Sequence, residues 1–186
     1  TERKRKKGVS GRRKKHPVIM IEACIACDSL EDMEKSVKAA CEGGASTLEL
    51  CSAMASEGLT PSEEAVRRSR RRFPEKGLMA MVRPRKGGFF YSPEEISEMC
   101  GQIDSLARAG ADGVVFGTLD CREEGICEKG LSLLVEAAKE HGLCTTFHRA
   151  FDALRNPLEA LDILKASGVD RVLTSGIPWG EREPIF

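Results

Sequence analysis

No stretch of this 186-residue sequence approaches the ~18 consecutive apolar residues that span a bilayer. No apolar segment follows the basic start, as a secretory signal requires, so the expectation is a cytoplasmic protein without a membrane partner. Net charge is missing too, because 29 basic residues balance 29 acidic ones. That balance hides an asymmetry. Residues 1–17 hold Arg3, Lys4, Arg5, Lys6, Lys7, Arg12, Arg13, Lys14 and Lys15 against Glu2 alone, which leaves 20 basic and 28 acidic residues in the remainder. Also absent after the first apolar run is a Gly-x-Gly-x-x-Gly, the backbone cradle for a dinucleotide pyrophosphate. No nucleotide cofactor is expected.

What is present suffices for one globular domain with a core. The eight cysteines, at 24, 27, 41, 51, 100, 121, 127 and 144, are expected reduced, since a chain this long and well patterned needs no disulfide staples. Cys41 and Cys100 fall on apolar helix faces and read as small core residues. Segment 1–17, with Gly8, Ser10 and Gly11 between its basic clusters, is expected to be a disordered arm. It reads as a solubilising tail, a nuclear import signal or a nonspecific polyanion contact.

From residue 18 the pattern repeats. Gly44, Gly77, Gly110, Gly142 and Gly168 each close a helical pattern and precede an apolar run. The runs predict strands over Val18–Ile25, Thr47–Cys51, Leu78–Arg83, Gly113–Thr118, Cys144–Arg149 and Arg171–Ser175. Between them, Leu30, Met33, Val37, Ala40 and Cys41 form an apolar stripe at helical spacing, as do Ile96, Met99, Cys100, Ile103 and Leu106, and then Leu131, Leu134, Val135 and Ala138. Thr60-Pro61-Ser62-Glu63, Ser92-Pro93-Glu94-Glu95 and Asn156-Pro157-Leu158-Glu159 each read as a capping side chain, proline at the first helical position, and glutamate two residues later. Units of ~30 residues predict an α/β fold, a (β/α)8 TIM-barrel-like architecture stopping after about six parallel strands. The expected boundaries are an arm at 1–17, a partial barrel at 18–176 and a tail at 177–186. Such a chain is expected to be a fragment or an abbreviated product whose end strands are unpaired edges, a route to homo-oligomers.

Two strands carry the same Glu-x-Cys spacing, Glu22 with Cys24 and Glu49 with Cys51. Residues two apart on a strand share a face, so two thiols and two carboxylates are expected on one surface. Burying an unpaired carboxylate is costly, so packing alone does not ask for them. The inward set at the C-terminal mouth is expected to include Glu22, Cys24, Glu49, Cys51, Arg83 and Arg85, with either His148 or Arg149. Glu22 and Glu49 are expected to pair with Arg83. In register, the two thiols would lie ~4.8 Å apart at Cα, able to bridge a soft cation with Met79 and Met81 nearby. The same pair also reads as a disulfide or as small core residues. Cys24-Ile25-Ala26-Cys27 offers a second soft site, and His148, with Asp152 to orient it, reads as an acid/base, a metal ligand or a core histidine.

Ile21-Glu22-Ala23-Cys24, Leu48-Glu49-Leu50-Cys51, Gly58-Leu59-Thr60-Pro61-Ser62, Arg83-Pro84-Arg85, Thr146-Phe147-His148-Arg149-Ala150-Phe151-Asp152 and Arg171-Val172-Leu173-Thr174-Ser175-Gly176 together resemble, in order, the CutC copper homeostasis proteins. The resemblance implies a TIM-barrel-like fold, a cytosolic location and Cu(I) binding, with Cys24 and Cys51 as metal ligands and Glu22, Glu49, Arg83 and His148 around them. It also implies two further strands beyond Gly176. The favoured reading is a copper carrier rather than a catalyst. The alternative is a barrel enzyme acting on a small anionic substrate, with Arg83 and Arg85 as the anion clamp and Glu49 or His148 moving a proton.

Overall fold

A computed structural model describes residues 20–74 and 77–180. The arm at 1–17, the first two residues of the predicted first strand and the end of the predicted tail lie outside the described residues. Six strands alternate with five helices: β1 (Glu22–Ala26), α1 (Leu30–Glu42), β2 (Thr47–Cys51), α2 (Glu63–Arg72), β3 (Leu78–Met81), α3 (Pro93–Ala109), β4 (Gly113–Phe116), α4 (Glu128–Glu140), β5 (Cys144–Phe147), α5 (Pro157–Ser167) and β6 (Arg171–Val172). Short 3₁₀ turns cover Met54–Ser56 and Arg149–Ala153. All strand pairs are parallel, in the order β1 to β6, with the helices between them. The result is a TIM-barrel-like half-barrel. No helix among the described residues is long and apolar enough to cross a membrane.

The core lies mainly between sheet and helices. Leu48 and Leu50 from β2, Leu78 and Ala80 from β3, Val114 and Phe116 from β4 and Phe147 from β5 meet Met33, Val37, Met99, Ile103, Leu131 and Leu134. Each buried side chain of this size contributes about 1.5–3 kcal/mol by leaving water. The alternate residues, Cys51, Met79, Met81 and Val115, form a separate cluster on the concave side. Alternation along the strands therefore assigns the polar Glu-x-Cys residues to the concave face.

Local chemistry sets the joints. Ser92 and Glu95 form a reciprocal capping box at the start of α3 with Pro93 in its first turn, and Asn156 caps α5 ahead of Pro157. The expected Thr60 cap is corrected: α2 starts at Glu63 with Ser62 as its cap, so Pro61 precedes the helix, while Thr60 Oγ1 accepts from the Arg83 backbone N–H. At Gly77, with φ +114°, an added Cβ would lie 2.5 Å from Thr47 Cγ2, so the turn into β3 needs glycine. Carboxylates just before β4 and β6 tie these strands to their neighbours. Asp112 Oδ2 accepts from the Gly77 and Leu78 N–H groups, and Asp170 Oδ2 accepts from Thr145 N and Oγ1.

Four of the six strands end earlier than predicted. β3, β4, β5 and β6 stop at Met81, Phe116, Phe147 and Val172; Val82, His148 and Leu173 each donate one more backbone hydrogen bond to the neighbouring strand before the chain turns into the loops of the mouth. Cys41 and Cys100 are only half-buried at the edge of the core.

Candidate metal centre

β1 and β2 are staggered so that Cys24 lies opposite Glu49 and Cys51 lies opposite Ala26. The thiols are therefore diagonal neighbours rather than register partners, a correction to the predicted pairing. The stagger still converges them. One ligand atom each from Cys24, Glu49 and Cys51 lies within 4.8 Å of the others. Cys51 Sγ is 3.3 Å from Glu49 Oε1, while Glu49 and Cys51 are 7% and 2% exposed and Cys24 is open to solvent.

Burial pushes the Glu49 carboxyl above its ordinary range, reinforced by the Glu22 charge and moderated by the hydrogen bond with Cys51 and by Arg171. Cys24 and Cys51 share a hydrogen bond. The hydrogen bond between them lowers Cys24 and raises Cys51, with burial raising Cys51 further. The cluster thus keeps protons that a cation displaces, and it offers two soft sulfur donors and one carboxylate.

The other predicted residues are distributed differently. Glu22 does not meet Arg83. It accepts from Thr47 Oγ1 at 2.7 Å and from Arg171 Nη1 at 3.0 Å, the latter reaching from β6. Arg83, 2% exposed, donates through Nη1 to the Ser56, Glu57 and Gly58 carbonyls and through Nη2 to the Gly87 carbonyl. Its one carboxylate within 4 Å among the described residues is that of Glu57, at 3.9 Å. The predicted Glu22–Glu49–Arg83 network is therefore not formed. Arg83 instead pins the two loops that rim the mouth. Arg85 leaves the mouth altogether, pairing with Glu95 and the Phe90 carbonyl over the Tyr91 ring, because Glu95 is already placed there by the α3 capping box.

Cys27 is also excluded. It belongs to the core between sheet and helices, its thiol pushed up to about 12 by burial, so Cys24-x-x-Cys27 spans opposite faces of the sheet and is not a two-thiol site. His148 and Arg149 both line the concave cavity, although only one was expected there. β5 ends at Phe147, and the 3₁₀ turn that follows breaks the alternation. His148, 4% exposed, is held neutral at about 3 by burial and by the nearby Arg83 charge. Its Nδ1 accepts from the Ala150 N–H at 3.1 Å.

The cavity enclosed by these groups has a volume of about 300 Å³. Its lining adds Met54, Glu57, Phe89, Leu173 and Trp179 to the residues expected from sequence. Trp179 is the chain's single tryptophan and stands in the segment expected to be a tail outside the barrel. Of that segment, the described residues 177–180 run back along the cavity. Trp179 N donates to the Asp152 carbonyl, and its ring packs edge-on to Phe89 with centroids 5.1 Å apart. A lone tryptophan beside Pro178 was the available signal, since so large a side chain seldom stays unpacked.

A concave parallel β/α sheet with polar side chains gathered at the C-terminal ends of its strands is the TIM-barrel class of architecture. Comparison with known proteins narrows that class. The CutC family model matches residues 19–183, and the chain belongs to the CutC family. A CutC family protein of Bacteroides fragilis strain YCH46 is 44% identical over 142 residues, which are 76% of this chain and 55% of that protein. One from Vibrio parahaemolyticus is 41% identical over 164 residues, 86% of this chain and 62% of its own length. The chain thus spans between half and two-thirds of these relatives. The crystal structure of CutC from Streptococcus agalactiae, a protein named for copper homeostasis, superposes with a TM-score of 0.74 at 29% identity, over 88% of this chain and 76% of that one. An aldolase, QR15, superposes with a TM-score of 0.60 at 20% identity, over 89% of this chain and 71% of that one, and shares the fold.

Proposed function

We propose that this chain binds Cu(I) through the thiolates of Cys24 and Cys51 and serves as a copper carrier or buffer. The observation that carries this reading is the convergence of two sulfurs and the Glu49 carboxylate within 4.8 Å on the concave face. Soft thiolate donors favour Cu(I) over hard cations, and the Met54 and Met81 side chains line the same cavity. Membership of the CutC family agrees with this reading.

The alternative, an enzyme clamping an anion between Arg83 and Arg85, loses support because both guanidiniums are committed elsewhere. The copper reading is tested by anaerobic competition against a Cu(I)-specific chelator. The expected result is one Cu(I) per wild-type chain and none in the Cys24→Ser/Cys51→Ser double variant. Full stoichiometry in the double variant would overturn it. Because the metal displaces protons from the thiols, apparent affinity is expected to rise with pH.

A further inference from the structure

The copper reading uses one wall of the cavity. The facing wall is built by two motifs that it leaves idle, Phe147-His148-Arg149-Ala150-Phe151-Asp152 and Leu173-Thr174-Ser175-Gly176. Asp152, with its side chain 2% exposed, organises them. It accepts from Arg149 Nε at 2.9 Å, from Ser175 Oγ at 2.9 Å and N at 3.0 Å, and from Thr174 Oγ1. Arg149 Nη2 also donates to Ser175 Oγ at 2.8 Å, and the guanidinium carbon lies 5.2 Å from the Trp179 ring centroid. The guanidinium is therefore fixed in one plane beside the cavity. Among the described residues its Nη1 has no partner.

A second donor stands next to it. The Ala150 N–H donates to His148 Nδ1, which places the ring proton on Nε2, and that buried Nε2 has no partner among the described residues. A buried N–H left without an acceptor is unfavourable, and His148 lines the cavity. Its ring lies 4.9 Å from that of Phe89, centroid to centroid, so donor and apolar surface adjoin.

We propose that this cavity binds a small organic monocarboxylate, with or without the metal. Its carboxylate accepts from Arg149 and His148, and its apolar body lies against Phe89, Leu173 and Trp179. A volume of about 300 Å³ stands at the lower end of ligand pockets, which run from about 300 to 1,000 Å³. A multiply charged phosphate fits less well, because Glu49 and Glu57 line the same space.

Trp179, the sole tryptophan, reports the test directly. The metal-free 186-residue chain is titrated with propionate and benzoate, and separately with inorganic phosphate and propylamine, while its emission is followed. Propionate and benzoate are expected to give saturable changes that phosphate and propylamine do not. Arg149→Met weakens benzoate binding at least about tenfold, and Arg149→Lys also weakens it, since lysine keeps the charge but lacks the planar donor pair. Benzoate shifts the His148 ring nitrogen resonances. The titration is done without metal and read at Trp179, whereas the copper reading is tested by chelator competition, so failure of one is separable from failure of the other. No saturation in the folded wild type, undiminished benzoate binding in Arg149→Met, or phosphate binding as tight as benzoate would overturn the proposal.

Discussion

At Glu49 a carboxylate is buried with no arginine or lysine within ion-pair distance among the described residues, where an aliphatic side chain would carry no desolvation cost. Burial raises its pKa, so the folded chain holds this proton more tightly than the unfolded chain does. The resulting contribution to stability is present at low pH and is lost as pH rises through the raised folded value. Metal-free Glu49→Gln is therefore expected to melt above the wild type at neutral pH and to lose that part of the pH dependence. Thermal melts across pH check this, and an equal or lower midpoint at neutral pH speaks against it. The sequence revealed this residue because Glu-x-Cys occurs twice, a spacing that fixes the face of each strand. It did not reveal the partners. Strand alternation says nothing of stagger, and Arg83 met backbone carbonyls rather than Glu22 because the loops at 56–58 and 87 lie within its reach.

The elements themselves were largely readable, since the five glycines that close helical patterns all adopt positive φ, and Ser92 and Asn156 cap where proline and glutamate follow. The start of α2 was misread because Ser62 can also cap, and it lies two residues closer to the buried Ala65 and Val66. Strand ends were overextended because pattern alone does not separate a paired residue from an extended loop residue. Glycine on β4 has a role that pattern does not show. A Cβ on Gly113 would lie 2.1 Å from Met79 Cε and 2.6 Å from the Cys144 carbonyl oxygen, whereas one on Gly101 of α3 meets nothing within 4 Å. Gly113→Ala is expected to destabilise by about 1–3 kcal/mol through overpacking. Gly101→Ala is expected to stabilise by about 1 kcal/mol through helix propensity. Urea denaturation of the two variants decides, and equal shifts of the same sign would show that backbone entropy, not the concave face, sets the requirement.

Across the whole molecule, β1 and β6 each have a strand neighbour on one side only among the described residues. A single ion pair links them across the concave side, Arg171 to Glu22, with side chains 34% and 27% exposed. The parallel repeat was legible in the sequence, but this link was not, since the two residues stand 149 positions apart. A partly exposed pair of this kind is worth about 0.2–1 kcal/mol. A double-mutant cycle with Glu22→Gln and Arg171→Met is expected to return a coupling in that range that shrinks with added salt, and a coupling of zero at low salt would deny the link. The stagger of β1 against β2 brings Cys24 to Cys51, and on that convergence the functional account stands. X-ray absorption at the copper edge, on the chain loaded anaerobically with one equivalent of Cu(I), tests it most directly. The account predicts two sulfur neighbours that disappear together in the Cys24→Ser/Cys51→Ser variant. A shell of nitrogen and oxygen alone, or sulfur neighbours that survive both substitutions, would contradict it.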